Sequence, residues 1–124
     1  MLNIETLRFN DEAVNKVRKT KYGEKWPIVY IINNNKEAYI GETTNAYMRT
    51  NQHLANPIRH DLKILHLITD EEFNKSAVLD IESSLIKYMS GDGLFQLQNA
   101  NNGVKFHNYY EKEKYEKKFK ELWI

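Results

Sequence analysis

IVYIINNNKEAYIGETTNAYMR, running from Ile28 to Arg49, is the stretch whose reading decides the fold. Ile28-Val29-Tyr30-Ile31-Ile32 is β-branched and aromatic without clean alternation, the composition of a strand buried on both faces. Asn33-Asn34-Asn35-Lys36 follows as a turn, because asparagine tolerates positive φ better than other non-glycine residues. The turn closes an antiparallel hairpin onto Ala38-Tyr39-Ile40-Gly41. Thr43, Thr44 or Asn45 can then cap a helix from about Ala46 to Asn56, which Pro57 bounds. Two tyrosines therefore sit inside paired strands, and Arg49 and His53, four residues apart, share the face of the helix that comes next.

On the N-terminal side, Asn10 reads as an N-cap, Asp11 and Glu12 favour the first helical turn, and Phe9 is placed to staple against Val14. The helix predicted there covers Asp11 to Lys21, and Gly23 and Pro27 break the chain before the hairpin. Residues 1–25 are thus expected to be a basic, helical extension. On the C-terminal side, Leu62 to Thr69 reads as another strand, and Asn74 to Met89 as a long helix ended by Gly91 and Gly93. Leu94 to Gln98 adds a short extended piece before the polar loop Asn99-Ala100-Asn101-Asn102-Gly103. A last helix is predicted from about Asn108, with Tyr115, Phe119 and Leu122 on one face and Glu113/Lys117 and Glu116/Lys120 on the other. It meets no stop signal before Ile124, so a longer parent chain is expected.

The 124 residues, 41% hydrophobic and 28% charged, suit one folded domain and exclude a wholly disordered chain. The absence of cysteine excludes disulfides and thiolate-bound zinc, and any metal must sit on oxygen or imidazole. No long apolar run and no signal-peptide pattern is present, so an intracellular, cytoplasmic protein is expected. The net charge of +1 gives the chain as a whole no attraction for a polyanion, which moves the argument to local distribution. Lys16, Arg18, Lys19, Lys21 and Lys25 face a single acid, Glu24, within residues 16–25, and Arg49, His53, Arg59 and His60 follow. Such a cluster is either a solvated surface or a nucleic-acid footprint, with Arg49 extending it.

Glu82 is the remaining unusual residue. Val78, Leu79, Leu85 and Ile86 lie one turn before and after it, so a carboxylate occupies an apolar stripe and needs a basic partner, a metal or the rim of a cavity. Together with Tyr30, Tyr39, Arg49 and His53 it forms a set suited to phosphodiester hydrolysis. A tyrosine with a lowered pKa can take a proton, an arginine grips phosphate with its planar fork, and a glutamate holds Mg²⁺ through oxygen.

The order of these features resembles the GIY-YIG nuclease superfamily over about residues 26–103. Ile28-Val29-Tyr30 and Tyr39-Ile40-Gly41 stand as the paired tripeptides, with Arg49 and His53 on the next helix, Glu82 in Leu-Asp-Ile-Glu-Ser-Ser-Leu-Ile-Lys, and Asn99 beyond. Ile28 stands where the first glycine is usual, and residues 31–38 make a shorter hairpin between the tyrosines. The resemblance implies an α+β fold: a small three-stranded antiparallel sheet flanked by helices, here with extra N-terminal and C-terminal helices. It implies a divalent-metal-dependent endonuclease acting on DNA, RNA not excluded, with Mg²⁺ or Mn²⁺ as cofactor. Tyr30 would be general base or water positioner, and Tyr39 would orient the scissile phosphate. Arg49 would offset developing charge, His53 would support positioning, Glu82 would bind the metal, and Asn99, or else Asn101 or Asn102, would brace the site. A non-catalytic nucleic-acid-binding or targeting module with the same fold is the alternative. A protein-docking role for the C-terminal helix stands behind both.

Overall fold

The computed structural model describes residues 2–99. Its elements, in chain order, are β1 (Asn3–Arg8), α1 (Asp11–Val17), β2 (Ile28–Asn33), β3 (Glu37–Thr43), α2 (Ala46–Leu54), a 3₁₀ turn (Pro57–Arg59), β4 (Ile64–Thr69), α3 (Lys75–Asp92) and β5 (Gln96–Leu97). The strands form one mixed sheet in the order β1-β4-β2-β3-β5, in which only the β3/β5 pair is parallel. The fold is α+β, as expected, but the sheet has five strands rather than three. The predicted helix over 108–124 and the candidates Asn101 and Asn102 lie outside the described residues.

The hairpin is the centre of the sheet because β2 is flanked on both sides and buried on both faces. Ile28, Val29, Tyr30, Ile31 and Ile32 are all buried, and the register pairs Tyr30 with Gly41 and Ile32 with Tyr39. Period-two alternation then sorts the side chains. Val29, Ile31, Ala38, Ile40 and Ile68 face α3 and pack with Val78, Ile81, Leu85 and Met89. Ile28, Tyr30, Ile32, Leu65 and Leu67 face the opposite way, towards Val14, Val17 and Ala46 of α1 and α2. Each fully buried aliphatic side chain here contributes about 1.5–3 kcal/mol, so the two-faced burial of β2 anchors both layers.

The two added strands are at the edges. β1 pairs with β4 over six residues, from Asn3 opposite Thr69 to Arg8 opposite Ile64, yet is exposed at every position but Leu7. With little to bury, Asn-Ile-Glu-Thr-Leu-Arg carries no core pattern, and backbone pairing alone makes it a strand. The expectation of a purely helical extension over residues 1–25 is therefore corrected. Helix α1 is also shorter than expected: Asn10 caps it by accepting from the Ala13 N–H at 2.9 Å, but it stops at Val17, whose carbonyl accepts the Thr20 hydroxyl at 2.8 Å. Phe9 and Val14 are buried in one cluster, as the staple reading requires.

The Asn33–Lys36 turn closes by a different device from positive φ, which no described non-glycine residue adopts. The Asn34 side-chain oxygen accepts both the Lys36 and Glu37 N–H groups, at 2.7 and 2.6 Å, while the Asn34 N–H donates to the Glu37 carbonyl at 3.0 Å. This is an Asx turn. Asn45 caps α2 and Asn74 caps α3, each through its side-chain oxygen. Gly93 ends α3 at φ 71°, the left-handed conformation that favours glycine, whereas Gly91 lies inside the helix. Among the described residues no helix is long and apolar enough to cross a membrane.

Candidate active site

The hairpin register places Tyr30 against a residue with no side chain. A Cβ on Gly41 would stand 2.2 Å from the Tyr30 hydroxyl oxygen and 2.3 Å from Cζ, so the phenol lies directly across the Gly41 backbone. Tyr39 occupies the diagonal position on the same face, and the two rings stack with centroids 6.3 Å apart at 26°. The Tyr-Ile-Gly order thus has a steric meaning: tyrosine supplies a second ring, isoleucine points into the α3-side core, and glycine makes room for the first ring.

Helix α2 crosses above this face. His53, only 4% exposed, brings Nε2 to 2.7 Å from the Tyr30 hydroxyl, and its ring sits 4.6 Å from that of Tyr39. One turn earlier, Arg49 is half-buried, its Nη1 donates to Gln52 Oε1 at 2.9 Å, and its guanidinium lies within reach of both tyrosine hydroxyls. Burial works against the Arg49 charge, but those two hydroxyls hold its pKa above the ordinary guanidinium value.

The protonation pattern differs from the sequence-based expectation of a tyrosine made acidic by cations. Burial, followed by the partial charge of Tyr39, raises the Tyr30 pKa, and Arg49 only partly opposes this. Burial, followed by the charges of Arg49 and Arg59, lowers His53 to about 4. Near neutral pH the pair is therefore a phenol donating to a neutral imidazole, with the imidazole proton on Nδ1. Burial wins over the arginines because Tyr30 is 1% exposed and its phenolate would be almost unsolvated.

Glu82 approaches from the other layer. It lies on α3 and is half-buried, close enough for its charge to act on Tyr30 and to be acted on by Arg49. Burial, and then the charge of Glu42, raise its pKa to about 7. Glu42 follows Gly41 on β3, on the α3 side of the sheet, and its Oε2 accepts from Lys75 Nζ at 2.6 Å. The site therefore straddles β3, with aromatic rings and arginine over one face and two carboxylates on the other. Gly41 is the thin place between them. Among the described residues there is no group of three acidic, histidine or cysteine side chains of metal-binding type. The donors present are two carboxylates, which suit a hard cation that keeps most of its own water, as Mg²⁺ does. A cation held there would remove the repulsion and desolvation that make Glu82 hard to ionise.

Asn99 braces rather than lines the site. Its Nδ2 donates to the Ile40 carbonyl at 2.7 Å and its Oδ1 accepts the Ile40 N–H at 3.1 Å, so one side chain replaces a strand partner beside Tyr39 and Gly41. The pairing of β5 with β3 reaches only Glu37 and Ala38, and Asn99 extends that support by two residues.

Arg59 is the residue that sequence reasoning counted only as local basic charge. From the 3₁₀ turn its guanidinium covers the other side of the site, with Cζ 3.9 Å from the Tyr39 ring centroid. The signal available was position alone, since a cation on a turn gives no periodic pattern. The Lys16–Lys25 cluster is less free than its composition suggests. Lys16 pairs with Glu12, Arg18 with Glu24 and Lys21 with Glu71, while Lys19 and Lys25 are exposed. Arg18 also lies over the Tyr47 ring of α2, which sets this cluster beside the helix that carries Arg49 and His53. A scan of protein-family models and searches of curated proteins and solved structures find no match to this chain.

Proposed function

We propose that this chain is a divalent-metal-dependent endonuclease domain of the GIY-YIG type that hydrolyses DNA phosphodiester bonds. The observation that carries the reading is the convergence of Tyr30, Tyr39, Arg49, His53 and Glu82, from β2, β3, α2 and α3, on the two sides of Gly41. Packing alone does not call for a buried phenol–imidazole bond flanked by an arginine and by a half-buried carboxylate. Phosphodiester hydrolysis does, because it needs a proton path, a cation for the phosphate and an oxygen ligand for a metal.

In this reading Arg49 and the Tyr39 hydroxyl hold the scissile phosphate, the guanidinium through charge-assisted bonds. A water molecule attacks phosphorus, its proton passes to the Tyr30 oxygen, and the Tyr30 proton passes to His53 Nε2 along the existing 2.7 Å bond. The bond from phosphorus to the leaving oxygen breaks as the new one forms. Burial, and after it the nearby arginines, keep His53 from taking up a proton, and the arriving negative phosphate offsets the arginines' share. Tyr30 is thus the water-positioning member of a relay rather than a standing phenolate. Glu82, with Glu42 beside it, would hold Mg²⁺ or Mn²⁺, which supplies charge stabilisation at phosphate and leaving oxygen. Asn99 keeps β3 in register beneath the phosphate. Lys19 and Lys25 are the members of the N-terminal cluster with the most freedom to meet backbone phosphates, and Lys16, Arg18 and Lys21 would have to leave acidic partners to join them.

Incubation with supercoiled, branched and single-stranded DNA in Mg²⁺ or Mn²⁺ tests the proposal. Cleavage that disappears in Tyr30→Phe and in Glu82→Ala is the expected result, and cleavage surviving both refutes the mechanism. Salt-dependent binding with no cleavage of any of these substrates would select the non-catalytic targeting module instead.

A further inference from the structure

Arg59 poses a problem that stability does not solve. It is 8% exposed, and its Nε is buried without a hydrogen-bond partner among the described residues, a costly state for a cationic side chain. An exposed turn such as Pro57–Arg59 could point an arginine into water at no such cost. Here it is instead directed inward and secured. Nη1 donates to Gln98 Oε1 at 3.2 Å, and Gln98 Nε2 in turn donates to Glu37 Oε2 at 2.8 Å. Gln98 is itself fixed by its backbone N–H, which donates to the Ala38 carbonyl at 2.7 Å. The chain Glu37, Gln98, Arg59 therefore runs from β3 to the 3₁₀ turn, and what it delivers back to β3 is a guanidinium 3.9 Å from the Tyr39 ring centroid.

We propose that Arg59 is a positioning residue that clamps the Tyr39 ring between its guanidinium and the Tyr30 and His53 rings, so that the Tyr39 hydroxyl is held for substrate. Tyr39 gains from such a clamp because, unlike Tyr30, it is only half-buried, and its hydroxyl meets the half-buried Arg49 rather than a buried side chain. Its other ring contacts are the stacked Tyr30 ring and the tilted His53 ring, at 6.3 and 4.6 Å. A flat, delocalised cation suits an aromatic face, and lysine cannot offer both a planar group over the ring and a separate N–H for Gln98. Arg59 also adds its charge to that of Arg49 near His53, where the facing groups are Tyr30 and Tyr39 on the strands, Arg49 on the same helix and Arg59 on the turn. The same residue thus orients one tyrosine and restrains the imidazole that partners the other.

The role of the Tyr39 hydroxyl rests on the nuclease reading, whereas the clamp itself does not, and the test separates them. Aromatic NMR of the whole chain reads Tyr39 ring signals and the His53 titration without any substrate. In Arg59→Gln the Tyr39 ring signals should move and broaden, and the His53 midpoint should rise only slightly from about 4, because burial and Arg49 remain. In Arg59→Lys the midpoint should stay low while the Tyr39 signals still change, because charge is kept and planarity is lost. Gln98→Ala, which leaves Arg59 in place but removes its brace, should disturb Tyr39 in the same way and serves if Arg59→Gln fails to fold. Where DNA is cleaved, kcat should fall by up to about 10²-fold with KM little changed, as for a misplaced group not touching substrate. Tyr39 signals unchanged in folded Arg59→Lys and Gln98→Ala would overturn the clamp. A raised KM at unchanged kcat would overturn it too, since Arg59 would then be a direct phosphate contact. A wild-type chain that cleaves nothing would remove the nuclease reading and leave the spectroscopic test standing.

Discussion

Gly41→Ala is the most demanding test of the site geometry, because a single methyl group must be accommodated where the Tyr30 phenol now lies. The added Cβ would be 2.2 Å from the hydroxyl oxygen, 2.3 Å from Cζ and 2.8 Å from Cε1. Ordinary carbon contacts need about 3.5–4 Å, so the ring must retreat by more than about 1 Å. It has nowhere to go: Tyr30 is 1% exposed, and its hydroxyl is tied to His53 at 2.7 Å on the far side. Overpacking of this kind costs about 1–3 kcal/mol, and displacing the ring breaks a buried hydrogen bond worth about 1 kcal/mol more. At roughly 4 °C per kcal/mol for a domain of this size, the melting temperature should fall by about 8–16 °C. Thermal unfolding of Gly41→Ala, Tyr30→Leu and the double variant measures it. Removing the ring first should largely abolish the cost of the methyl group, giving a coupling of about 1–3 kcal/mol between the two positions. Costs that simply add, or a Gly41→Ala protein that melts as the wild type does, would refute the reasoning that this glycine exists for the ring.

Other outcomes follow from the same geometry. Asn99→Ala should destabilise by about 1–3 kcal/mol through the two unsatisfied Ile40 backbone groups, and hydrogen exchange should quicken at the Ile40 amide specifically. Adding Mg²⁺ or Mn²⁺ should raise the melting temperature of the wild type and not of Glu82→Ala, by linkage of binding to folding. The pH dependence carries two opposed terms. His53 titrates near 4 when folded and near 6.5 when unfolded, so its contribution, at most about 3 kcal/mol, is present above pH 6.5 and lost as pH falls towards 4. Glu82 is raised to about 7, so the fold binds a proton there that the unfolded chain releases, and stability gains as pH falls from 7 to 4.5. Glu82→Gln should therefore melt higher than the wild type at pH 8 in the absence of metal, and should lose stability more steeply between pH 6.5 and 4.5. Parallel melting curves for the two proteins across that range would contradict the assignment.

What the sequence made legible was whatever repeats along the chain with a period or a cap. The two-faced burial of Ile28–Ile32, the cap Asn10 and the long helix around Glu82 are local signals and are realised, with Val78, Leu85 and Ile86 buried as the stripe requires and Leu79 exposed instead. The edge strand Asn3–Arg8 was not legible, because a strand that buries almost nothing is specified by the free edge of β4, which lies more than fifty residues away in the chain. The sense of the Tyr30 shift was misread for a related reason. A list of nearby cations suggests a lowered pKa, but the depth of burial, which only the tertiary structure supplies, outweighs them. Arg59 and Glu42 make the same point from the surface inward. As sequence they are two charges among many; in the fold one lies over the Tyr39 ring and the other sits beside Glu82.

The position of Gly41 ties these strands of argument together. A β-sheet ordinarily isolates the chemistry of its two faces, since alternate side chains point apart and the backbone between them is opaque to contact. At Gly41 the missing side chain lets a phenol from the neighbouring strand lie flat on the backbone, and the next residue, Glu42, turns to the opposite face. Beyond Ile40, which Asn99 supports, β3 has no strand partner on its outer side among the described residues. Along that part of β3, Tyr39 and Arg49 lie above the sheet, with Tyr30 buried behind them, and Glu42 and Glu82 lie below it. A phosphodiester, which presents an anion to be gripped and an oxygen to share with a metal, is the kind of group that needs both sides. On this view the glycine's importance is steric: a larger residue would displace Tyr30 from the β3 backbone and with it the hydroxyl that meets His53.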